Sequence, residues 1–260
     1  TYTERNSSAA SDVYKRQGQN MAVNDLDMEV AEGQIHGLIG PNGSGKTTVF
    51  NLVSGFLRPS RGKVIWQGRD ITNMPTYRIT KLGLVRTFQL TALFKEITAL
   101  QNVVMSCHLH TGVNLWQQFW QDKKTRRKTT AVEQRAMALL EQMGIADIAQ
   151  ERAADLPQGY AAALGIANAL ATEPKIILLD EPVGGMNPTE TAETMEKIKA
   201  VRDQGITILL VEHDMNAVMS TCDEITCINF GCKIAQGTPQ NVCQHPEVAK
   251  AYLGEEIDLC

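Results

Sequence analysis

The stretch Ile35-His36-Gly37-Leu38-Ile39-Gly40-Pro41-Asn42-Gly43-Ser44-Gly45-Lys46-Thr47 decides how the rest of the chain is read. Its first five residues form an apolar run of strand length. Residues Gly40 to Thr47 then fit the pattern G-x-x-x-x-G-K-[ST], and a helical pattern follows from Lys46 to about Gly55, with Val49, Phe50, Leu52 and Val53 apolar. A glycine-rich loop between a strand and a helix is suited to phosphate. Without Cβ atoms in the way, backbone N–H groups converge on the oxygens, and the helix N-terminus adds a positive field. Gly40, Pro41, Asn42, Gly43, Ser44, Gly45, Lys46, Thr47 and Thr48 are therefore the candidate nucleotide contacts. Lys46 is expected to reach the β- and γ-phosphates, and the Thr47 hydroxyl to ligate Mg²⁺.

A second apolar run, Ile176-Ile177-Leu178-Leu179, ends in Asp180-Glu181. Two carboxylates just past a buried strand lie at the carboxyl edge of a parallel sheet, where open α/β folds bind ligands. Asp180 is expected to hold Mg²⁺ through water, and Glu181 to polarise the attacking water as a general base. ATP and Mg²⁺ are thus the cofactors this pair of segments implies.

Between the two segments the texture of the chain changes. Strand candidates at Lys63–Gln67 and Gly83–Phe88 give way, from about Gln89 to Ala163, to helix formers, with Val132, Ala136, Leu139, Leu140 and Met143 at helical spacing. Strand character returns at Ile176–Leu179 and Ile206–Val211, joined by a helical stretch from about Thr189 to Gln204. Continuous apolar runs of this kind are expected of central parallel strands covered on both faces. The alternation indicates an α/β fold with a mostly parallel sheet and a helical insertion over 89–163.

The chain has 260 residues, 25 basic and 29 acidic side chains and a net charge of −4. That balance argues against a nucleic-acid partner. No apolar run approaches the roughly 20 residues of a bilayer span. The six cysteines, Cys107, Cys222, Cys227, Cys232, Cys243 and Cys260, form no C-x-x-C pair and are expected to be reduced thiols of a cytosolic protein. Residues 1–17, TYTERNSSAASDVYKRQ, show no helical or strand period and are expected to be a disordered or non-native leader. The part from Ser7 to Gln17 resembles the translation of a sequencing adaptor.

Taken together, these motifs resemble the nucleotide-binding subunit of an ATP-binding cassette transporter, over roughly Gly18 to Gly254. The resemblance implies a P-loop NTPase core (18–88 and 164–238) with an antiparallel β subdomain, a helical subdomain (89–163) and a C-terminal tail (239–260). Gln89, in Thr87-Phe88-Gln89, matches the family glutamine whose amide contacts Mg²⁺ and the attacking water. His213, in Glu212-His213-Asp214, matches the histidine that touches the γ-phosphate. LVRTFQ at Leu84–Gln89, GMNP at Gly185–Pro188, EHDM at Glu212–Met215 and GTP…HPEV…AYLG at Gly237–Gly254 are similar to the ATP-binding subunits of branched-chain amino-acid importers. That resemblance implies a second ATP-binding subunit, in a homo- or heterodimer, and transmembrane permease subunits fed by a periplasmic solute-binding protein. It also implies a peripheral location on the cytoplasmic face of a bacterial inner membrane. Urea/amide and lipopolysaccharide-export systems share parts of the pattern. A mainly non-catalytic partner subunit and a soluble cassette ATPase acting on DNA or ribosomes are the competing functional classes.

The sequence departs from the family at its second nucleotide contact, LSGGQ or LSYGQ. Here Leu156-Pro157-Gln158-Gly159-Tyr160 puts proline in place of the serine and tyrosine in place of the glutamine. Loss of one charge-assisted hydrogen bond to phosphate would weaken that contact by roughly 1.5–3 kcal/mol. The family's adenine-stacking aromatic would fall near Arg16 or Gln17, with Tyr14 the nearest aromatic residue. Asn187 stands where the family has an aspartate. The basic run Lys123–Lys128 reads as a solvated face or as an attraction to anionic lipid headgroups, and Trp116, Phe119 and Trp120 as core packing of the insertion or as a membrane or permease contact.

Overall fold

The computed structural model describes residues 8–11, 16–17, 20–87, 93–111 and 123–252. In chain order the first strands are β1 (Ser8–Ser11), β2 (Arg16–Gln17), β3 (Asn20–Met21), β4 (Asp27–Val30) and β5 (Ile35–Ile39), followed by helix α1 (Lys46–Val53). Then come β6 (Lys63–Trp66), β7 (Arg69–Asp70), α2 (Thr76–Lys81) and β8 (Leu84–Thr87). Helices α3 (Ala99–Thr111), α4 (Lys123–Gln142) and α5 (Gln158–Leu170) form the insertion, with two short 3₁₀ turns between α4 and α5. The chain returns through β9 (Ile176–Asp180), α6 (Pro188–Arg202), β10 (Thr207–Val211), α7 (Met215–Thr221), β11 (Glu224–Asn229) and β12 (Cys232–Gly237). It closes with α8 (Pro239–Cys243) and α9 (Pro246–Tyr252).

Six strands make the main sheet in the order β12-β11-β5-β10-β9-β8. All neighbours are parallel except the β11–β12 hairpin. Apolar residues run without a break through its centre because both faces are covered. Ile35, Ile39, Ile177, Leu179, Ile208 and Leu210 face one core. Leu38, Ile176, Leu178, Leu209 and Val211 face the other, under α1. Each such side chain stabilises the fold by about 1.5–3 kcal/mol through burial, so the sheet is the rigid frame on which the site stands.

A smaller antiparallel sheet, in the order β4-β1-β6-β7, packs on the α1 side. It overturns one expectation. Of the two expectations for residues 1–17, a disordered or a non-native leader, disorder does not hold at Ser8–Ser11: β1 pairs with both β4 and β6, with Ala10 opposite Met28 on one side and Val64 on the other. Strand pairing is a backbone interaction. The slot between two strand edges can be filled by a segment with no hydrophobic period, so periodicity carried no warning of it.

In the insertion, Ala99 and Val103 of α3, Ala136 and Leu140 of α4, and Leu164 and Ala167 of α5 are buried together. Helix α5 runs on to Leu170, past the expected subdomain boundary at 163/164, because the helix is shared: its later residues also join the core against the sheet. Val242, Val248 and Tyr252 bury the C-terminal helices into that core. Cys107, Cys222, Cys227 and Cys232 are free thiols. Cys243 is disulfide-bonded, contrary to the expectation that all six cysteines are reduced. Among the described residues, no helix is long and apolar enough to cross a membrane.

Candidate functional site

Because β5, β9 and β10 are parallel, their carboxyl ends share one edge. At adjacent-strand spacings of about 4.8 Å, the ends of β5 and β9 lie roughly 10 Å apart with β10 between them. The glycine-rich loop leaves β5 on this edge. A Cβ at Gly40 (φ 152°) would collide with the Ile228 carbonyl and the Ser44 hydroxyl, and one at Gly45 (φ 112°) with the Ala22 carbonyl. Glycine is therefore required at both positions by close backbone approach as well as by φ. The Lys46 ammonium curls over the loop, donating to the carbonyls of Gly40 at 2.6 Å and Pro41 at 3.0 Å. Ser44 is 2% exposed, and its hydroxyl has no hydrogen-bond partner among the described residues. Pro41 is half-buried and Asn42 and Gly43 are exposed along the rim, while Thr47 (exposed) and Thr48 (half-buried) occupy the first turn of α1. This is a concave array of donors at a helix N-terminus, chemically matched to a polyphosphate.

Asp180 closes β9 opposite Val211 of β10. One of its oxygens, Oδ2, accepts a hydrogen bond from Arg86 at 2.7 Å, and both side chains are largely buried, at 7% exposure for Arg86 and 11% for Asp180. Arg86 also donates to Asn51 Oδ1 on α1 at 2.6 Å, and its guanidinium carbon lies 5.5 Å from the Phe50 ring centroid. The guanidinium thus ties the helix that opens at Lys46 to the strand that ends at Asp180.

Glu181, the next residue, sits in the left-handed region at φ 51°, a conformation that disfavours side chains. Its backbone N–H donates to Val211 O at 2.9 Å. Its carboxylate oxygen Oε1 lies 2.9 Å from His213 Nε2, with both side chains partly open to solvent. Behind them Glu212, 3% exposed, accepts backbone N–H bonds from Val183 at 2.8 Å and His213 at 3.0 Å. Burial pushes its carboxyl above the ordinary range, and those two N–H bonds oppose the shift. Glu212 staples the turn after β9 to the turn after β10, which fixes Glu181 and His213 relative to each other.

Asp180, Glu181 and His213 are thus gathered on the sheet edge that carries Lys46 and Thr47. Gln89 lies outside the described residues, as do Tyr14, Trp116, Phe119 and Trp120. Asn187, read as a family position, caps α6: its side chain accepts from Thr189 N and Glu190 N while Glu190 returns a bond to the Asn187 N–H. Pro157 is the N-cap of α5 and supplies no side-chain cap. Gln158 donates its amide to the Gly184 carbonyl instead. A cavity of about 710 Å³ separates α5 from the ends of β8 and β9, with Leu93, Ala162, Asn168, Asp180, Glu181 and Gly185 among its lining. Sequence reasoning missed the structural parts played by Arg86, Asn51 and Glu212. Arg86 and Glu212 stand inside the quoted LVRTFQ and EHDM segments, but no local pattern announces partners that are far away in the chain.

Comparison with known proteins agrees with this fold. The family model "ABC transporter" matches residues 23–184, and "Branched-chain amino acid ATP-binding cassette transporter" matches residues 232–258. A nucleotide-free ATP-binding cassette from an ABC transporter superposes with TM-score 0.83 at 30% identity, over 95% of this chain and 98% of that one. The fold and the site define an ATP-binding cassette of the ABC transporter type. Two relatives narrow the class. The high-affinity branched-chain amino acid transport ATP-binding protein BraF of Pseudomonas aeruginosa is 40% identical over 241 residues, 92% of this chain and 94% of that protein. LivG of Salmonella typhimurium, of the same description, is 39% identical over 248 residues, 95% of this chain and 97% of that protein. The chain belongs to the ABC transporter ATP-binding proteins, in the branched-chain amino acid transport family.

Proposed function

We propose that this ATP-binding component of a branched-chain amino acid importer hydrolyses ATP at the edge formed by Gly40–Thr48, Asp180, Glu181 and His213. The observation that supports this reading most is the 2.9 Å contact between Glu181 and His213 on the sheet edge that carries the phosphate loop. Backbone N–H groups of the loop and the Lys46 ammonium bind the triphosphate. Glu181 takes a proton from water as its oxygen attacks the γ-phosphorus, and the bond to the bridging oxygen of ADP breaks. His213 orients Glu181 and lies beside the γ-phosphate.

Among the described residues, the Thr47 hydroxyl and Asp180 Oδ1 make no hydrogen bond to protein, so their oxygens fit a hard divalent cation. Thr47 and Asp180, with Gln89, would hold Mg²⁺. The cation would supply neutralising charge to the phosphates.

ABC ATPases dimerise and act with permease subunits. The partners inferred for this chain are a second ATP-binding subunit, two permeases at the cytoplasmic face of a bacterial inner membrane and, through them, a periplasmic binding protein. The lipopolysaccharide export protein LptB of Acidithiobacillus ferridurans is only 29% identical over 250 residues, which favours the amino-acid reading over lipid export. The test is Glu181→Gln in the assembled transporter. ATP binding should persist while hydrolysis falls by about 100-fold or more. An unchanged rate would overturn the reading and favour a non-catalytic subunit, for which the uncapped start of α5 is the supporting feature.

A further inference from the structure

Asp180 is the carboxylate expected to face a metal ion, yet one of its oxygens is already held by a buried cation. Arg86 Nη2 reaches Asp180 Oδ2 at 2.7 Å while Nη1 reaches Asn51 Oδ1 at 2.6 Å. The ring of Phe50 lies against the guanidinium. A guanidinium keeps its charge in a protein, and its planar fork reaches two separated acceptors along fixed directions. Burial of such a pair demands a purpose, because taking two charges out of water offsets much of their attraction. Apolar residues would serve the core at least as well.

We infer that Arg86 is a positioning residue for the phosphate site: it neutralises Asp180 and fixes its rotamer. An anionic nucleotide would then meet a more nearly charge-balanced edge, with Asp180 Oδ1 left to help hold a divalent cation. The inference rests on the nucleotide-binding reading and deepens it. Position supports it, since Asn51 and Phe50 belong to the helix whose first residue is Lys46. The guanidinium therefore sits between the helix that receives the triphosphate and the strand that presents the carboxylate. Without it, an uncompensated carboxylate at this edge would repel ATP until a divalent cation arrived.

The experiment measures binding of a fluorescent ATP analogue to the assembled transporter, once in EDTA and once in Mg²⁺. In Arg86→Gln the ratio of the two dissociation constants should rise about tenfold over wild type, which is about 1.4 kcal/mol. In Arg86→Lys it should rise less. A ratio in Arg86→Gln within twofold of wild type overturns the proposal. Should Arg86→Gln fail to fold around an unpaired carboxylate, the pair Asp180→Asn and Asp180→Asn/Arg86→Gln carries the test, because neither holds that charge. Asp180→Asn exposes the Arg86 charge to the nucleotide, so in EDTA it should bind about tenfold tighter than the double variant. Equal affinities overturn the proposal. A wild-type complex that binds no nucleotide even with Mg²⁺ would instead overturn the nucleotide reading itself.

Discussion

His36 shows how one residue of the central sheet couples the fold to pH. It lies wholly inside β5, with Nδ1 3.0 Å from the Gln34 amide and Nε2 2.8 Å from the Thr226 hydroxyl. Burial lowers its pKa to about 4; nearby Glu224 opposes the shift and Lys233 adds to it. The unfolded chain, with an ordinary histidine near 6.5, binds a proton that the folded chain refuses between those two values. Stability is therefore full above about pH 6.5 and falls as pH drops towards 4, by about 3 kcal/mol in all. Urea unfolding of wild type from pH 7.5 to 4.5 should show this loss, and His36→Gln should flatten the part that His36 supplies. A variant with the same slope as wild type would assign the acid sensitivity elsewhere. At this scale the phosphate loop and the Asp180-Glu181 pair were legible in the sequence, because each is a run of adjacent residues. The partners of Arg86 were not: Asn51 is 35 positions away and Asp180 is 94 away, and only the folded sheet brings them together.

Among the elements, α6 has the most explicit start. The reciprocal bonds of Asn187 and Glu190, with Pro188 in the first turn, satisfy N–H groups that a helix otherwise leaves unpaired. Asn187→Ala should destabilise the chain by about 1 kcal/mol in urea unfolding, and Asn187→Asp by no more than a few tenths, since the aspartate side chain caps equally well. Equal losses in the two variants would show that the amide itself matters. The parallel strands were readable because burial on both faces leaves an uninterrupted apolar run, and β9 and β10 agree with it to within a residue or so. Strand β1 was not readable, for it is defined by its neighbours' open edges. The expected boundary at 163/164 falls inside α5, one continuous helix that packs on both the insertion and the sheet, and composition cannot mark a division that the backbone does not make.

At the level of the whole molecule, the resemblance to the family implies that each ATP would lie between one chain's phosphate loop and the other's signature segment. The two ends of this chain's contribution are unequal. Its phosphate loop carries the full G-x-x-x-x-G-K-[ST] pattern, whereas Leu156–Tyr160 enters α5 through an N-cap proline that offers neither a hydroxyl nor an N–H, and Gln158 is turned back onto Gly184. In a heterodimer with an intact partner, the site built on this chain's Lys46 should turn over normally and the opposite site slowly. A single-turnover assay of the reconstituted transporter should give two phases, each of about half the bound ATP. One uniform fast phase would remove the asymmetry.

The tip of the β11–β12 hairpin has a consequence for how nucleotide is received. The Gly231 N–H donates to the Ser44 carbonyl, and the Gly231 carbonyl accepts from Asn24 N, each at 2.8 Å. The proposed phosphate loop is thus held by the hairpin tip, which is itself held by the segment at Asn24, so less ordering would be left for a ligand to impose. If the loop receives ATP as proposed, binding energy saved in this way would go towards bringing two ATP-binding subunits together.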